Sequence, residues 1–243
     1  MSADAMLSVD GLSAWYGAAR ILYDLSFNVG RGEVVALMGR NGAGKSTTMM
    51  AIMNLIAQRQ GRVVFNGADI SRLRPYEIAR RGLGFTPEDR RIFADLTVLE
   101  NLDVGRQPPR RFADGSPAPA WCEDKLFALF PNLAEMPDRP GGRMSGGEQQ
   151  MLTVARTLMG NPLLVLLDEP SEGVAPLIVE QMASTIIELK KEGLSVLLSE
   201  QNIHFSRLVC DRAYVLEKGQ IRWHGTMEAL INNLDVQRSY LTL

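Results

Sequence analysis

The chain has 243 residues, of which 46% are hydrophobic and 22% charged, an ordinary globular balance that excludes a disordered or fibrous class. A formal net charge of −2 gives no general electrostatic reason to bind nucleic acid or an anionic bilayer, and the short basic clusters Arg80-Arg81 and Arg90-Arg91 read as solvated or locally paired. No apolar run approaches the roughly 20 residues of a membrane-spanning helix, Met1 to Leu7 lacks the features of a secretory signal, and Cys122 and Cys210 form neither a CxxC pair nor a disulfide framework.

In chain order, Leu7 to Glu33 carries two strand-like stretches separated by a turn at Tyr16-Gly17, an expected antiparallel flank. Glu33 to Met38 is a short, nearly continuous apolar run, and similar runs recur at Leu163 to Leu167, Leu194 to Leu198 and Ala213 to Leu216. Such runs suit strands buried on both faces of a mostly parallel sheet, so the fold class is α/β. Between them, roughly Arg90 to Gly160 holds helical patterns at Val98 to Val104, Cys122 to Phe130 and Glu148 to Met159, with almost no strand signal. This middle part is an expected helical insertion. Within it, Gln107 to Pro119 contains four prolines and reads as a mobile surface loop.

The chemistry begins at Gly39-Arg40-Asn41-Gly42-Ala43-Gly44-Lys45-Ser46, which satisfies GxxxxGK[ST] between a strand and a helix-compatible stretch, Ser46 to Ile56. Glycines let backbone N–H groups curl around phosphate oxygens while the N-terminus of the following helix adds favourable potential. Lys45 is expected at the β- and γ-phosphates of ATP, Ser46 on Mg²⁺, and Thr47 beside it completes the nucleotide-binding set. Leu163 to Leu167 then ends in Asp168-Glu169, whose side chains point in different directions from a strand end and can take different roles. Asp168 is expected to hold Mg²⁺ through water and Glu169 to act as general base toward the attacking water.

Ser145-Gly146-Gly147-Glu148-Gln149-Gln150, before a helix and upstream of Asp168, closely resembles the signature motif of ABC-type ATPases. The resemblance extends over nearly the whole chain. It implies a P-loop ATPase with a RecA-like core, an antiparallel β part and a helical insertion, divided as 1–89 (core and β part), 90–160 (helical) and 161–243 (second core segment and tail). In that family the signature of one subunit closes over ATP held by its partner's P-loop, which implies a head-to-tail homo- or heterodimer. Further positions follow from the resemblance: Tyr16 stacks on adenine, Pro87-Glu88 stands at the Q-loop, Ser171 to Pro176 at the D-loop, and Glu200-Gln201-Asn202 at the switch. Three of these depart from the general pattern. Glu88 replaces a glutamine but can still contact Mg²⁺, Ala175 replaces an aspartate, and Gln201 replaces a histidine, so its amide can donate to the γ-phosphate without shuttling a proton. Gln201 is therefore expected to assist catalysis, and Glu169 to be the base.

Pro87-Glu88-Asp89-Arg90-Arg91, the signature and Glu200-Gln201-Asn202 together look like the ATPase subunits of branched-chain amino acid uptake systems, an appearance shared with urea and short-amide importers. That resemblance implies two transmembrane permease subunits, a second ATPase subunit and, indirectly, an extracytoplasmic solute-binding protein as partners. The expected location is cytoplasmic, peripheral on the inner face of the plasma membrane. Ile92, Phe93 and Leu96 are candidate permease contacts. DNA-associated ABC-type ATPases form the competing class, but only about a hundred residues separate the P-loop from the signature, too few for their long coiled coils, and no basic stripe appears.

Overall fold

The computed structural model describes residues 5–241. The chain opens with an antiparallel pair, β1 (Ala5–Tyr16) and β2 (Ala19–Gly30), then β3 (Val34–Met38) and α1 (Lys45–Ile52). Next come β4 (Gln58–Phe65), β5 (Ala68–Asp69), α2 (Pro75–Arg80) and β6 (Leu83–Thr86). The middle contains α3 (Val98–Gly105), α4 (Glu123–Leu129), α5 (Pro131–Ala134) and α6 (Gly146–Met159). The last part alternates β7 (Leu164–Asp168), α7 (Pro176–Lys191), β8 (Ser195–Glu200), α8 (Ile203–Val209) and β9 (Arg212–Glu217), and closes with β10 (Gln220–Thr226), α9 (Met227–Asn232) and α10 (Leu234–Tyr240).

Two sheets result. The antiparallel sheet runs β2-β1-β4-β5, and the larger sheet runs β10-β9-β3-β8-β7-β6, parallel throughout except for the β9-β10 hairpin. The continuous apolar runs have a direct explanation in this arrangement. Val34, Ala36 and Met38 pack into a core shared with α6, α7 and α8, whereas Val35 and Leu37 face a second core built with α1 and the antiparallel sheet. Val165 and Leu167 against Leu164 and Leu166 repeat the division on β7. With both faces covered, every side chain of β3 is buried and no polar alternation survives.

The proline-rich segment differs from the mobile loop its composition suggests. Phe112 is buried, and the Arg31 guanidinium lies 3.5 Å from its ring centroid while bonding Asp114 and Ser116 at 2.8 Å each. Arg110 donates to the carbonyls of Asn161 and Arg80, so the segments leading into β6 and β7 also hold the loop in place. Helix α1 is also shorter than the apolar pattern to Ile56 suggests, ending where Asn54 takes a left-handed φ of 57°. Among the described residues no helix is long and apolar enough to cross a membrane.

The β9-β10 turn positions the loop after β3. Lys218 and Gly219 both have positive φ, 48° and 71°, as a tight two-residue hairpin turn demands. Gly219 donates to the Ala43 carbonyl at 2.9 Å and accepts from the Tyr23 amide at 2.8 Å, which wedges the turn between β2 and the loop Gly39 to Gly44. A Cβ there would lie 1.8 Å from the Ile21 carbonyl oxygen, whereas one on Gly17, also at positive φ, would meet open space. Gly17→Ala should cost about 1 kcal/mol for the backbone conformation alone, and Gly219→Ala about 2–4 kcal/mol because overpacking adds to it. Urea unfolding midpoints of the two variants check this; equal losses would remove the crowding argument.

Candidate active site

The carboxyl ends of β3, β7 and β8 lie side by side because β8 pairs in parallel with both other strands, Met38 opposite Glu200 and Asp168 opposite Ser199. After β3 the loop from Gly39 to Gly44 curls into α1, and Gly44 caps that helix with φ 108°, a conformation that strains any residue with a Cβ. Lys45 follows with its side chain drawn inward. Its Nζ donates to the carbonyls of Gly39 at 2.8 Å and Arg40 at 3.2 Å and pairs with Glu169 Oε1 at 3.0 Å. Ser46 Oγ donates to Asp168 Oδ1 at 3.0 Å, which brings together two of the three residues expected at the metal, Glu88 being the third.

Glu169 follows β7 in a left-handed conformation, φ 48°, unusual for a residue with a side chain. Its N–H is held by both the carbonyl and the hydroxyl of Ser199 at 3.1 Å, and this turn aims its carboxylate at Lys45. Asp168, 3% exposed, also accepts from the Ser199 hydroxyl. Burial raises the proton affinity of Asp168, and the nearby charges of Glu169 and Glu88 add to it, while the Ser199 and Ser46 hydrogen bonds oppose them. Glu88 itself is exposed.

Burial alone would raise Glu169 as well, but hydrogen bonds from Glu172 and Lys45 leave it below the ordinary glutamate value. Glu172 bears the opposite effect. Its hydrogen bond with Glu169 requires a proton, and with partial burial and the charges of Glu169 and Glu88 this pushes it up to about 7. Glu200, 2% exposed, is raised by burial and opposed by hydrogen bonds from Ser171 and Asn202. Glu172, Ser199 and Glu200 were not legible as site residues. Glu172 and Glu200 fall inside the D-loop and switch segments; Glu172 meets Glu169 through a local turn, its amide donating to the Glu169 carbonyl at 3.1 Å, whereas Glu200 reaches the Ser171 loop only once β7 and β8 are paired.

The donor set suits Mg²⁺. Ser46 and Asp168 offer hard oxygens already in contact, and further carboxylates supply excess negative charge close by. Among the described residues no group of three or more His, Cys, Asp or Glu is placed to hold a metal alone. Mg²⁺ needs none, since it commonly takes one or two protein oxygens, waters and substrate phosphates.

The remaining expected residues lie around this centre or apart from it. Tyr16 ends β1 and is 49% exposed, so its ring is not part of the core. Arg40, Asn41 and Gly42 are exposed on the loop, Ala43 is buried, and Ser46 and Thr47 are half-buried in the first turn of α1. Gln201 is half-buried just beyond β8, its backbone N–H donating to Glu200 Oε2 at 3.2 Å. Ser145 caps α6: its hydroxyl accepts from the Glu148 amide at 3.3 Å while the Glu148 carboxylate accepts from the Ser145 amide at 2.6 Å. Gly147 packs so closely on α7 that an added Cβ would lie 2.6 Å from Ile178. None of the hydrogen bonds of Ser145 to Glu148 reaches the loop Gly39 to Ser46.

The profile of the ABC transporter family matches residues 22–172. The chain is 43% identical over 236 residues to the high-affinity branched-chain amino acid transport ATP-binding protein BraG of Pseudomonas aeruginosa, covering 97% of this chain and 99% of that one. It is 37% identical over 245 residues to the lipopolysaccharide export ATP-binding protein LptB of Haemophilus influenzae, covering 98% and 97%. Among solved structures, the ADP conformation of MJ1267, an ATP-binding cassette of an ABC transporter, superimposes with a TM-score of 0.78 at 27% identity, over 96% of this chain and 97% of that one.

The shared proton at Glu172 has a measurable consequence. From an ordinary 4.5 to about 7, the folded state holds a proton the unfolded chain has released, so stability falls as pH rises through this window and stays lower above it. Glu172→Gln keeps a donor and removes the charge. After solvent screening at this exposed position, the nucleotide-free variant should be more stable at pH 8 by about 1 kcal/mol, about 2–4 °C in Tm, with the difference vanishing near pH 4.5. Thermal unfolding across that range checks it; a difference independent of pH would contradict it.

Proposed function

The chain belongs to the ABC transporter family as an ATP-binding subunit and is an ABC transporter ATPase, and from that premise we propose that it drives uptake of branched-chain or other hydrophobic amino acids. The observation that carries its enzymology is the meeting of Lys45, Ser46, Asp168 and Glu169 on one sheet edge. Identity to BraG exceeds that to LptB, 43% against 37%, and supports the amino acid reading over an export one.

In this reading Lys45 leaves Glu169 for the β- and γ-phosphates, whose charge replaces the carboxylate it gives up. Glu169 is then free to accept a proton from the attacking water. Ser46 and Asp168 would hold Mg²⁺, with Glu88 as a further oxygen donor, and bound there it would supply positive charge against the phosphate oxygens. Gln201 donates a hydrogen bond to the γ-phosphate, and Tyr16 stacks on adenine. The partner subunit's signature, the counterpart of Ser145 to Glu148, covers the nucleotide from the other side. Ala175 offers no carboxylate to that contact, so closure rests on phosphate recognition.

We assign the permease contact to the groove between the core and the helical part. A cavity of about 480 Å³ there is lined by Tyr76, Phe85, Arg80, Arg91 and Arg156 among others. It combines apolar surface with a cationic rim and suits a short partner helix. Of the three contacts expected from sequence, only Phe93 is exposed, at 47%; Ile92 packs against the core shared with the helical part and Leu96 is half-buried. Two transmembrane permeases and a second ATPase subunit complete the proposed assembly on the inner face of the plasma membrane. A solute-binding protein would deliver the amino acid from outside.

Glu169→Gln should bind ATP at least as tightly as the parent, lose about 10²–10⁴-fold in turnover, and sediment as an ATP-bound dimer; normal hydrolysis would sink the base assignment. Gentle extraction of the tagged chain from native membranes should recover two permeases, a second ATPase and leucine-stimulated turnover. Recovery of ribosomes or DNA-bound proteins would keep the ATPase and discard the transporter.

A further inference from the structure

Glu200 is a carboxylate that the mechanism above does not use, and its surroundings are unusual for a glutamate. It ends β8 between β3 and β7 and is 2% exposed. Among the described residues no cation pairs with it. Its charge is met instead by three backbone N–H groups: Oε1 accepts from Ser171 at 3.1 Å, and Oε2 from Gln201 at 3.2 Å and Asn202 at 3.1 Å. Burying a carboxylate is costly, and three directed donors are what make the charged form tolerable.

The donors belong to two different segments. Ser171 opens the loop that follows Glu169 and leads through Glu172 and Ala175 into α7. Gln201 and Asn202 form the turn from β8 into α8, with Asn202 as the cap of that helix. One buried side chain therefore spans the loop after the base and the turn carrying Gln201. Glu169 sits between these attachments, its own amide held by Ser199, the residue before Glu200.

We propose that Glu200 is a positioning residue that ties the Ser171 loop to the Gln201 turn, so that a hydrogen bond made by Gln201 to the γ-phosphate sets the placement of the Glu169 loop. The inference rests on the assignment of Glu169 as base and Gln201 as γ-phosphate contact. A rigid link of this kind has a functional rationale in this chain, where Gln201 cannot move a proton and Ala175 cannot make a polar contact across the dimer. The signal from the bound phosphate must then pass through geometry. A misplacement of about 1 Å at a reacting group lowers rates by up to about a hundredfold.

The test is a pair of variants with separate readouts for binding and chemistry. Glu200→Gln keeps size and can still accept at one oxygen, but its NH2 group faces amides it cannot accept from. Glu200→Asp keeps the charge and is too short to reach both segments. Each should lower kcat between about tenfold and a hundredfold while the Kd for ATP, measured by nucleotide fluorescence, stays within about threefold of the parent. Combined with Gln201→Ala, Glu200→Gln should add less than about twofold to the loss of the worse single variant, because the two act through one link. Parental kcat, a Kd that rises in step with the loss, or fully multiplicative losses would each overturn the proposal. So would failure of both variants to fold, which would assign Glu200 to stability alone. If Glu169→Gln hydrolyses ATP normally, the base assignment falls; if it does not and Glu200→Gln keeps parental kcat, only this inference falls.

Discussion

The site depends on the placement of β8 between β3 and β7. This order brings the loop after β3 and the acids after β7, more than a hundred residues apart in sequence, to one edge of the sheet. Right-handed parallel crossovers leave such an edge open at the strands' carboxyl ends, where a ligand can enter. Ser199 on β8 holds both Asp168 and the Glu169 backbone. The central strand thus fixes where the carboxylates of Asp168 and Glu169 point.

The Lys45–Glu169 pair follows from that constraint. With the two side chains 2% and 8% exposed, neither charge has water to fall back on. Removing one partner from a buried pair costs about 3–5 kcal/mol, because the other is left uncompensated. In the mechanism proposed above, phosphate is the natural replacement for Glu169 at Lys45, so the base is released only when ATP is in place. The arrangement would suppress premature chemistry without any separate inhibitory segment. Glu172, whose carboxyl shares a proton with Glu169, adds a second acidic group near this lysine.

Much of the fold was legible because local chemistry dictates it. A phosphate cradle requires glycines at fixed offsets, and strands buried on both faces must be apolar at every position, so β3, β7, β8 and β9 announced themselves. The parts that were not legible depend on distant partners. β6 is four residues long and contains Gly84, too little pattern to separate from a turn. Strand β10 has no continuous apolar run because it lies at the sheet edge, where Arg222, His224 and Thr226 meet solvent in alternation with partly buried neighbours. The proline-rich segment looked mobile because Arg31, which anchors Phe112, Asp114 and Ser116, lies some eighty residues earlier. Glu172 carried no motif of its own, and Glu200, though inside the switch segment, meets the Ser171 loop only in the assembled sheet.

The most direct test of this account is a crystal structure of the chain with Mg²⁺ and a non-hydrolysable ATP analogue. The account predicts that Lys45 Nζ leaves Glu169 Oε1, now 3.0 Å away, for the β- and γ-phosphates, while Ser46 and Asp168 close on the metal. A nucleotide bound with the Lys45–Glu169 pair intact would contradict it.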